Sequence, residues 1–392
     1  MNWLAAKLSD VAPSKPLKVE GIDEEQQVWQ VNLNHIESNT GKLLEKDIQP
    51  YSMAGSSTHW FDERHVLYSK LRPYLNKVLL PSQRGVGTTE LVPMLPNEKR
   101  LNRKFLAYYL RSKDFVDWVS TQTAGAKMPR VSMKVFWEHK IPLPPLEEQK
   151  KVATILDAAD RLRQKNAQLI AKYNALSQSL FLDMFGDPVT NPMGWAQVAM
   201  KDCLTNFQNG IGKNKEFYGK GEKVANISDL YASFRFTPIH FSLIDVTTEE
   251  TEKYRINKGD ILFVRSSVKR EGVAVCSFYD SDDTCLFGSF MIKATPDAKK
   301  ISPCFASMQM RCSSYRKLIV NASNTATITN ISQPNLKRLP LIIPPLTLQN
   351  QFAERLQAIE AQKQQAQASL QKSEELFNSL LQRAFKGELT AC

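Results

Sequence analysis

The chain has 392 residues, 42% of them hydrophobic and 23% charged, with a formal net charge of +11. That length and apolar share sustain two or three packed domains and exclude a largely disordered chain. The surplus of cations favours an anionic partner, nucleic acid or a membrane surface, although charge alone does not separate such a protein from an ordinary basic one.

Residues 1–14 hold no apolar core of signal-peptide length. The most apolar stretch, residues 339–346, contains three prolines and falls far short of the roughly 20 residues that a membrane helix needs. A soluble, cytoplasmic protein without membrane contact is expected. Residues 1–143 read as a first globular block of mixed α and β character. Within it, Val66-Leu67-Tyr68-Ser69 followed by Lys70 has the pattern of a strand running into an exposed basic loop. Residues 96–111 read as helical, and residues 121–130 as a loop rich in small polar side chains.

Residues 144–190 form the next segment. Pro144-Pro145 marks a helix start, and Glu147 and Glu148 place acids in the first turn, where they favour the helix dipole. No glycine or proline interrupts the sequence up to Phe185, so a helix of about 40 residues, roughly 60 Å long, is predicted. Val152, Ile155, Ala159, Leu162, Asn166, Leu169, Tyr173, Leu176 and Leu180 follow alternating three- and four-residue steps, the spacing of a coiled-coil seam. Asn166 reads as a register-setting polar group or a point facing solvent. Gly186-Asp187-Pro188 closes the helix.

Residues 191–343 read as a second mixed block, with a strand-like Ile261-Leu262-Phe263-Val264 leading to Arg265 and a polar loop at residues 321–330. Residues 344–392 bring a second long helix with a weaker stripe: Phe352, Leu356, Ile359, Ala366, Leu370, Phe377, Leu380 and Ala384.

Sliding the chain by 200 residues sets Pro144-Pro145-Leu146 on Pro344-Pro345-Leu346, Gln149 on Gln349, and Phe185 on Phe385. Of the 42 positions so aligned, 13 are identical without a gap. Pro96, Lys99, Phe105 and Arg111 match Pro296, Lys299, Phe305 and Arg311 at the same offset, whereas the two strand-like runs match at 195 and Trp3 matches Trp195 at 192. The chain is therefore a tandem duplication, and two copies point to pseudo-twofold symmetry rather than to a solenoid. The helices keep register like a ruler; the blocks diverge like two readers.

A search for catalytic chemistry finds little. No G-x-x-x-x-G-K-[ST] loop occurs. Asn191-Pro192-Met193-Gly194-Trp195 lacks the second proline and the aromatic of an amino-methyltransferase loop and reads as a turn. Pro296-Asp297 has no companion carboxylates for a metal, since residues 298–353 contain no acid. The six cysteines form no C-x-x-C pair and all follow residue 200, so they read as reduced thiols, and the five histidines form no metal pair. Two basic tracts remain. Residues 83–140 carry eleven Lys/Arg against five Asp/Glu, and residues 298–353 include Lys299, Lys300, Arg311, Arg316, Lys317, Lys337 and Arg338. Lys and Arg neutralise phosphates, while Asn, Gln, Thr and Arg bond to base edges; an ordinary surface loop has the same look.

The run Ile141-Pro142-Leu143-Pro144-Pro145-Leu146-Glu147-Glu148-Gln149, the exit Phe185-Gly186-Asp187-Pro188 with Asn191-Pro192-Met193-Gly194-Trp195, and the terminal Ala384-Phe385-Lys386-Gly387-Glu388-Leu389 resemble the specificity subunits of type I restriction-modification systems, over the whole chain. The resemblance implies two target-recognition domains, each reading half of a split DNA sequence, held apart by two antiparallel helices. It implies that two methyltransferase subunits dock on the helices. These and the restriction subunits, which bind S-adenosylmethionine, ATP and Mg, would perform the chemistry, so this chain would be non-catalytic. Leu348 in place of Glu148, and Ile343 in place of Leu143, depart from the first repeat and put symmetric docking in doubt.

The expected DNA contacts are Lys70, Arg72, Lys127 and Arg130 in the first block and Arg265, Lys269, Arg270 and Asn330 in the second. A symmetric coiled-coil adaptor without DNA specificity, or an enzyme with an unrecognised site, are the rival readings.

Overall fold

The computed structural model describes residues 3–325 and 328–389. Cys392, and Ala326 and Thr327 of the second polar loop, lie outside the described residues. By contacts the chain divides into two units, Met1–Ala167 with Gln367–Cys392, and Gln168–Ala366. Each unit therefore joins one block to half of each long helix. The helices span Leu146–Phe185 and Leu346–Ala384.

The first unit opens and closes on one strand pair. Leu4–Lys7 lies antiparallel to Lys140–Leu143, so the chain leaves the block beside the point where it entered. Between them, the strands Val78–Leu79, Val66–Ser69 and Leu91–Met94 form an antiparallel sheet with Val66–Ser69 in the middle. Four consecutive buried side chains, Val66, Leu67, Tyr68 and Ser69, explain the unbroken apolar run of that strand. A second sheet orders Asp47–Pro50, Gln27–Val31, Gly85–Thr88 and Thr58–Phe61, with Gln27–Val31 parallel to Gly85–Thr88. The helix Arg103–Arg111 follows, capped by the Asn102 side chain, which accepts from the N–H groups of Lys104 and Phe105. Lys113–Thr121 and Met133–Glu138 complete the block.

The second unit repeats this plan. Gln197–Ala199 pairs antiparallel with Pro340–Ile342, and Ile261–Val264, again wholly buried, sits between Cys276–Tyr279 and Met291–Pro296. Tyr218–Ala225 runs parallel to Leu286–Phe287 and antiparallel to Phe241–Ile244. Helices Pro303–Arg311, Ser313–Asn321 and Gln333–Arg338 follow in the same order. The weak Trp3–Trp195 correspondence gains a structural reason: Leu8 N–H donates to His139 O, and Met200 N–H to Leu339 O, pairing positions 192 and 200 apart. The second unit adds Leu204–Asn209 and Arg235–Phe236 as outer strands of its main sheet, and such insertions shift the sequence register.

Within each unit the two helix halves pack antiparallel. In the first, Val152, Leu156 and Ala159 share a core with Phe377, Leu381 and Ala384. Asn166 Nδ2 donates to Ser369 O at 3.1 Å and to Ser373 Oγ at 3.2 Å, so its polarity fixes the register of two helices. In the second, Phe352 meets the rings of Phe181 and Phe185 edge-on at 5.6 and 5.4 Å.

The seam of the first helix differs in phase from the sequence expectation. Val152 and Ala159 are buried, and Ile155, Tyr173 and Leu180 are half-buried, but Leu162, Leu169 and Leu176 are exposed. The inward row takes alternating steps of four and three and closes on a step of four: Val152, Leu156, Ala159, Arg163, Asn166, Ile170, Tyr173, Ser177 and Phe181. Polar members mislead a reading by hydrophobicity. Arg163 turns inward because its guanidinium lies 4.8 Å from the Phe377 ring centroid and bonds Asp160 at 2.5 Å, which covers the charge while its stem fills the seam. In the second helix Phe352, Leu356 and Phe377 are buried and Ile359, Leu370 and Leu380 half-buried, so there the stripe does face inward.

Helix and block are joined at the Pro-Pro corner by a buried amide. Gln149 is wholly buried; its Oε1 accepts from Asn102 N–H at 2.7 Å, and its Nε2 donates to Arg100 O at 2.9 Å and Pro144 O at 2.8 Å. Gln349 does the same with Ser302 N–H at 2.8 Å, Lys300 O at 3.2 Å and Pro344 O at 2.8 Å. Leucine in place of either glutamine keeps the volume and strands one donor and two acceptors. Gln149→Leu and Gln349→Leu are each expected to destabilise their own unit by about 3 kcal/mol, a drop of roughly 6–12 °C in Tm by calorimetry for a unit of this size; an unchanged Tm would remove the clamp from the account of the fold.

Candidate nucleic-acid interface

Each unit carries a polar hairpin that docks on the segment leaving its central strand. In the first unit Thr123–Ala124 pairs with Arg130–Val131. Arg130 bridges to Leu71, Val131 N–H donates to Lys70 O at 2.9 Å, and Arg72 N–H donates to Pro129 O at 2.8 Å. In the second, Asn324–Thr325 and Thr329–Asn330 form the hairpin, with Ser266 opposite Asn330 and Ser267 opposite Thr329. Ile331 N–H donates to Arg265 O at 3.0 Å. The structure thus brings Lys70, Arg72 and Arg130 onto one edge, and Arg265 and Asn330 onto the equivalent edge of the other unit.

The individual side chains differ in availability. Arg72 is exposed and adopts the left-handed region, φ +49°, which turns the chain sharply between the strand Val66–Ser69 and the 3-10 turn Pro73–Leu75. Lys127 is exposed in the turn of the first hairpin, and Lys269 and Arg270 are exposed beyond Ser267. Arg130 is held: its Nε donates to Glu90 Oε1 at 3.0 Å. Arg265 is half-buried, with one guanidinium nitrogen 3.3 Å from Ser289 O. Asn330 accepts from Ser266 Oγ at 2.5 Å and donates to Ile328 O at 3.1 Å, so its amide is oriented by the fold. Burial, and after it the Lys70 ammonium, lower the pKa of His59, which keeps that imidazole neutral beside the cationic edge.

Two arginines counted in the second basic tract serve another purpose. Arg316 donates to the carbonyls of Ala274 at 2.8 Å and Glu271 at 2.9 Å and also to Val273 O, and Arg311 donates to Cys276 O at 2.7 Å and Leu230 O at 3.2 Å. Burial lowers the pKa of both. Arg316 thus braces the backbone just after Lys269 and Arg270, and Arg311 ties Leu230 and Tyr231 to the strand at Cys276. Nothing in the sequence separates a bracing arginine from a phosphate-binding one, because the partners are carbonyls 35 residues or more away. Glu90, the partner of Arg130, was equally invisible for the same reason. Among the described residues no cluster of His, Cys, Asp or Glu is arranged to hold a metal ion, and no helix is long and apolar enough to cross a membrane.

Two similar mixed domains, each carrying a polar hairpin docked on the segment that leaves its central strand and each joined to half of both long helices, define a duplicated two-domain protein. The family model described as the type I restriction modification DNA specificity domain matches residues 77–172 and 192–373, well over half of the sequence, and the chain belongs to that family. Among curated relatives, the EcoDI type I restriction enzyme specificity subunit of Escherichia coli is 29% identical over 161 residues, 40% of this chain and 36% of that one. The EcoKI specificity subunit of Escherichia coli strain K12 is 24% identical over 319 residues, 76% of this chain and 68% of that one. A chain solved in work on complex assembly and conformational transition of the type I R-M system superposes with a TM-score of 0.58 at 19% identity, covering 99% of this chain and 98% of that one, which shows a shared fold. The resemblance read from the Pro-Pro corners therefore holds.

The Glu90 ion pair gives a direct test of the edge. Glu90→Gln frees Arg130, whereas Glu63→Gln changes net charge equally at an exposed position without an arginine of this edge to release. On a heparin column Glu90→Gln is expected to elute at higher salt than Glu63→Gln; equal elution would show that Arg130 does not face the polyanion.

Proposed function

We propose that this chain is the sequence-reading subunit of a type I restriction-modification complex, and that it binds a bipartite double-stranded DNA target. Residues 1–143 and 191–343 act as target-recognition domains, each laying its hairpin edge into a major groove over one half-site. Lys127, Lys269 and Arg270 contact phosphates and set orientation. Lys70, Arg72 and Arg130 in one unit, and Arg265 and Asn330 in the other, stand where base edges would be read. The observation that carries this reading is the duplication of the edge itself: the same hairpin, docked on the same strand exit, is built twice from sequence that otherwise diverges.

Residues 144–190 and 344–392 serve as spacer and docking rods. Leu162, Leu169 and Leu176, exposed and seven residues apart on one continuous helix, suit packing against a helix of a companion subunit. Two methyltransferase subunits would dock there, with restriction subunits joining through them. S-adenosylmethionine, ATP and Mg then belong to the companions, and this chain contributes no catalytic residue.

Selection of bound DNA from a random pool, followed by sequencing, is expected to enrich two short motifs separated by a gap of fixed length; no enrichment would favour a plain adaptor. With Arg130→Ala one motif is expected to relax and the other to persist, whereas Lys127→Ala is expected to weaken binding to all sequences alike and to reduce the salt slope by about one. Equal loss on every DNA would remove Arg130 from base reading.

The rods set the gap. Four residues added to each helix, between Ala167 and Gln168 and between Ala366 and Gln367, lengthen the pair by about 6 Å. The selected gap is expected to grow by about two base pairs at roughly 3.4 Å each, with both motifs unchanged; an unaltered gap would refute the ruler.

A further inference from the structure

An apolar patch interrupts the polar edge of the second unit. The antiparallel ladder sets Ser266 opposite Asn330 and Ser267 opposite Thr329, and Val268 and Ile328 are the residues immediately beyond its last pair. They are exposed, at 83% and 45%. Phe290 is 62% exposed, and its carbonyl accepts from Arg265 N–H at 2.7 Å, one step beyond the buried Val264–Met291 pair. Large apolar side chains held open to water around the end of one ladder mark a contact surface. Their surroundings say which kind. Arg265, Lys269 and Arg270 lie in the same segment as Val268, and the Asn330 amide is fixed two residues from Ile328 by Ser266. A cationic margin with an oriented amide complements DNA, whose phosphates flank the groove.

Base edges in the major groove offer one apolar feature, the C5-methyl group of thymine. We propose that Val268 and Ile328 read thymine methyl groups in the half-site bound by the second unit, with Asn330 positioned to bond the adjoining base edge. This rests on the reading of that edge as a DNA interface. The first unit is built otherwise at the matching places. Leu71 and Arg130 hold the positions of Ser266 and Asn330, and the buried Pro73 stands where Val268 does, 195 residues on. Met128, 46% exposed, stands where Ile328 does, 200 residues on, but no exposed counterpart of Val268 accompanies it, so the pair belongs to the second unit alone.

The test uses the full-length protein and the DNA selected from a random pool. Each thymine of both motifs is replaced in turn by deoxyuridine, which removes the methyl group and leaves base pairing intact. Binding is expected to weaken roughly fourfold at one or more positions of a single motif, the worth of one methyl group withdrawn from water. The double variant Val268→Ala, Ile328→Ala is expected to bind thymine and uracil DNA alike, at the uracil level, with an unchanged Tm because both side chains are exposed. Motifs without thymine, equal binding of uracil DNA at every position, or thymine preference persisting in the double variant would each overturn the proposal while leaving the bipartite reader standing. A pool that yields no split motif would overturn both.

Discussion

Everything in each unit is oriented by one buried amide. Gln149 and Gln349 sit where a helix begins, where a block ends and where the block's first long helix starts, and each bonds all three. The group needed there must accept from one N–H and donate to two carbonyls with no net charge, because a buried charge without a counter-ion is costly. A glutamine does that; a glutamate lacks the donors, and a leucine lacks both. Pro144 and Pro344 withhold their own N–H and fix the corner, so their carbonyls point at the amide. The consequence is mechanical: the angle between a block and its helix half is set by directional bonds and not by apolar contact alone, which tolerates sliding.

The same logic governs the arginines. A net charge of +11 suggests a surface ready for phosphate, yet several of those cations are committed inside. Arg316 is committed to backbone carbonyls just after Lys269 and Arg270, Arg311 to those of Leu230, Tyr231 and Cys276, and Arg163 lies over Phe377. Loops that present side chains to a groove need their own backbone groups satisfied, since surface segments otherwise sample many shapes. A planar guanidinium with five donors meets that need better than lysine. Part of the basic tract is thus scaffold for the part that faces outward, and counting charges overstates the interface.

The sequence made some of this legible and hid the rest for identifiable reasons. The duplication, the two long helices and the central strands Val66–Ser69 and Ile261–Val264 are local patterns, and they stand where the repeat and the apolar runs put them. The seam of the first helix was misread because leucines at 162, 169 and 176 outweighed Arg163, Asn166 and Ser177, whose polar ends find partners across or along the helices. Hydrophobicity measures a side chain alone, whereas burial depends on what meets it. The hairpin edges were legible as polar loops only. That Lys70 adjoins Val131, or Arg265 adjoins Ile331, depends on contacts spanning about 60 residues, for which a single sequence holds no signal.

Equivalence of scaffold and divergence of edge belong together. Positions that build the repeat carry the same residue in both copies: Gln149 and Gln349, Arg111 and Arg311, Phe105 and Phe305, Phe185 and Phe385. Positions at matching points of the hairpin edge do not: Lys70 and Arg265, Leu71 and Ser266, Arg72 and Ser267, Arg130 and Asn330. A protein that merely joined two identical partners through these edges would have no physical reason to vary them in hydrogen-bonding character, from guanidinium to amide and from apolar to hydroxyl, over a shared hairpin-and-strand plan. The proposed reading of two different half-sites accounts for that variation, because the groove offers a distinct set of donors, acceptors and methyl groups for each base pair.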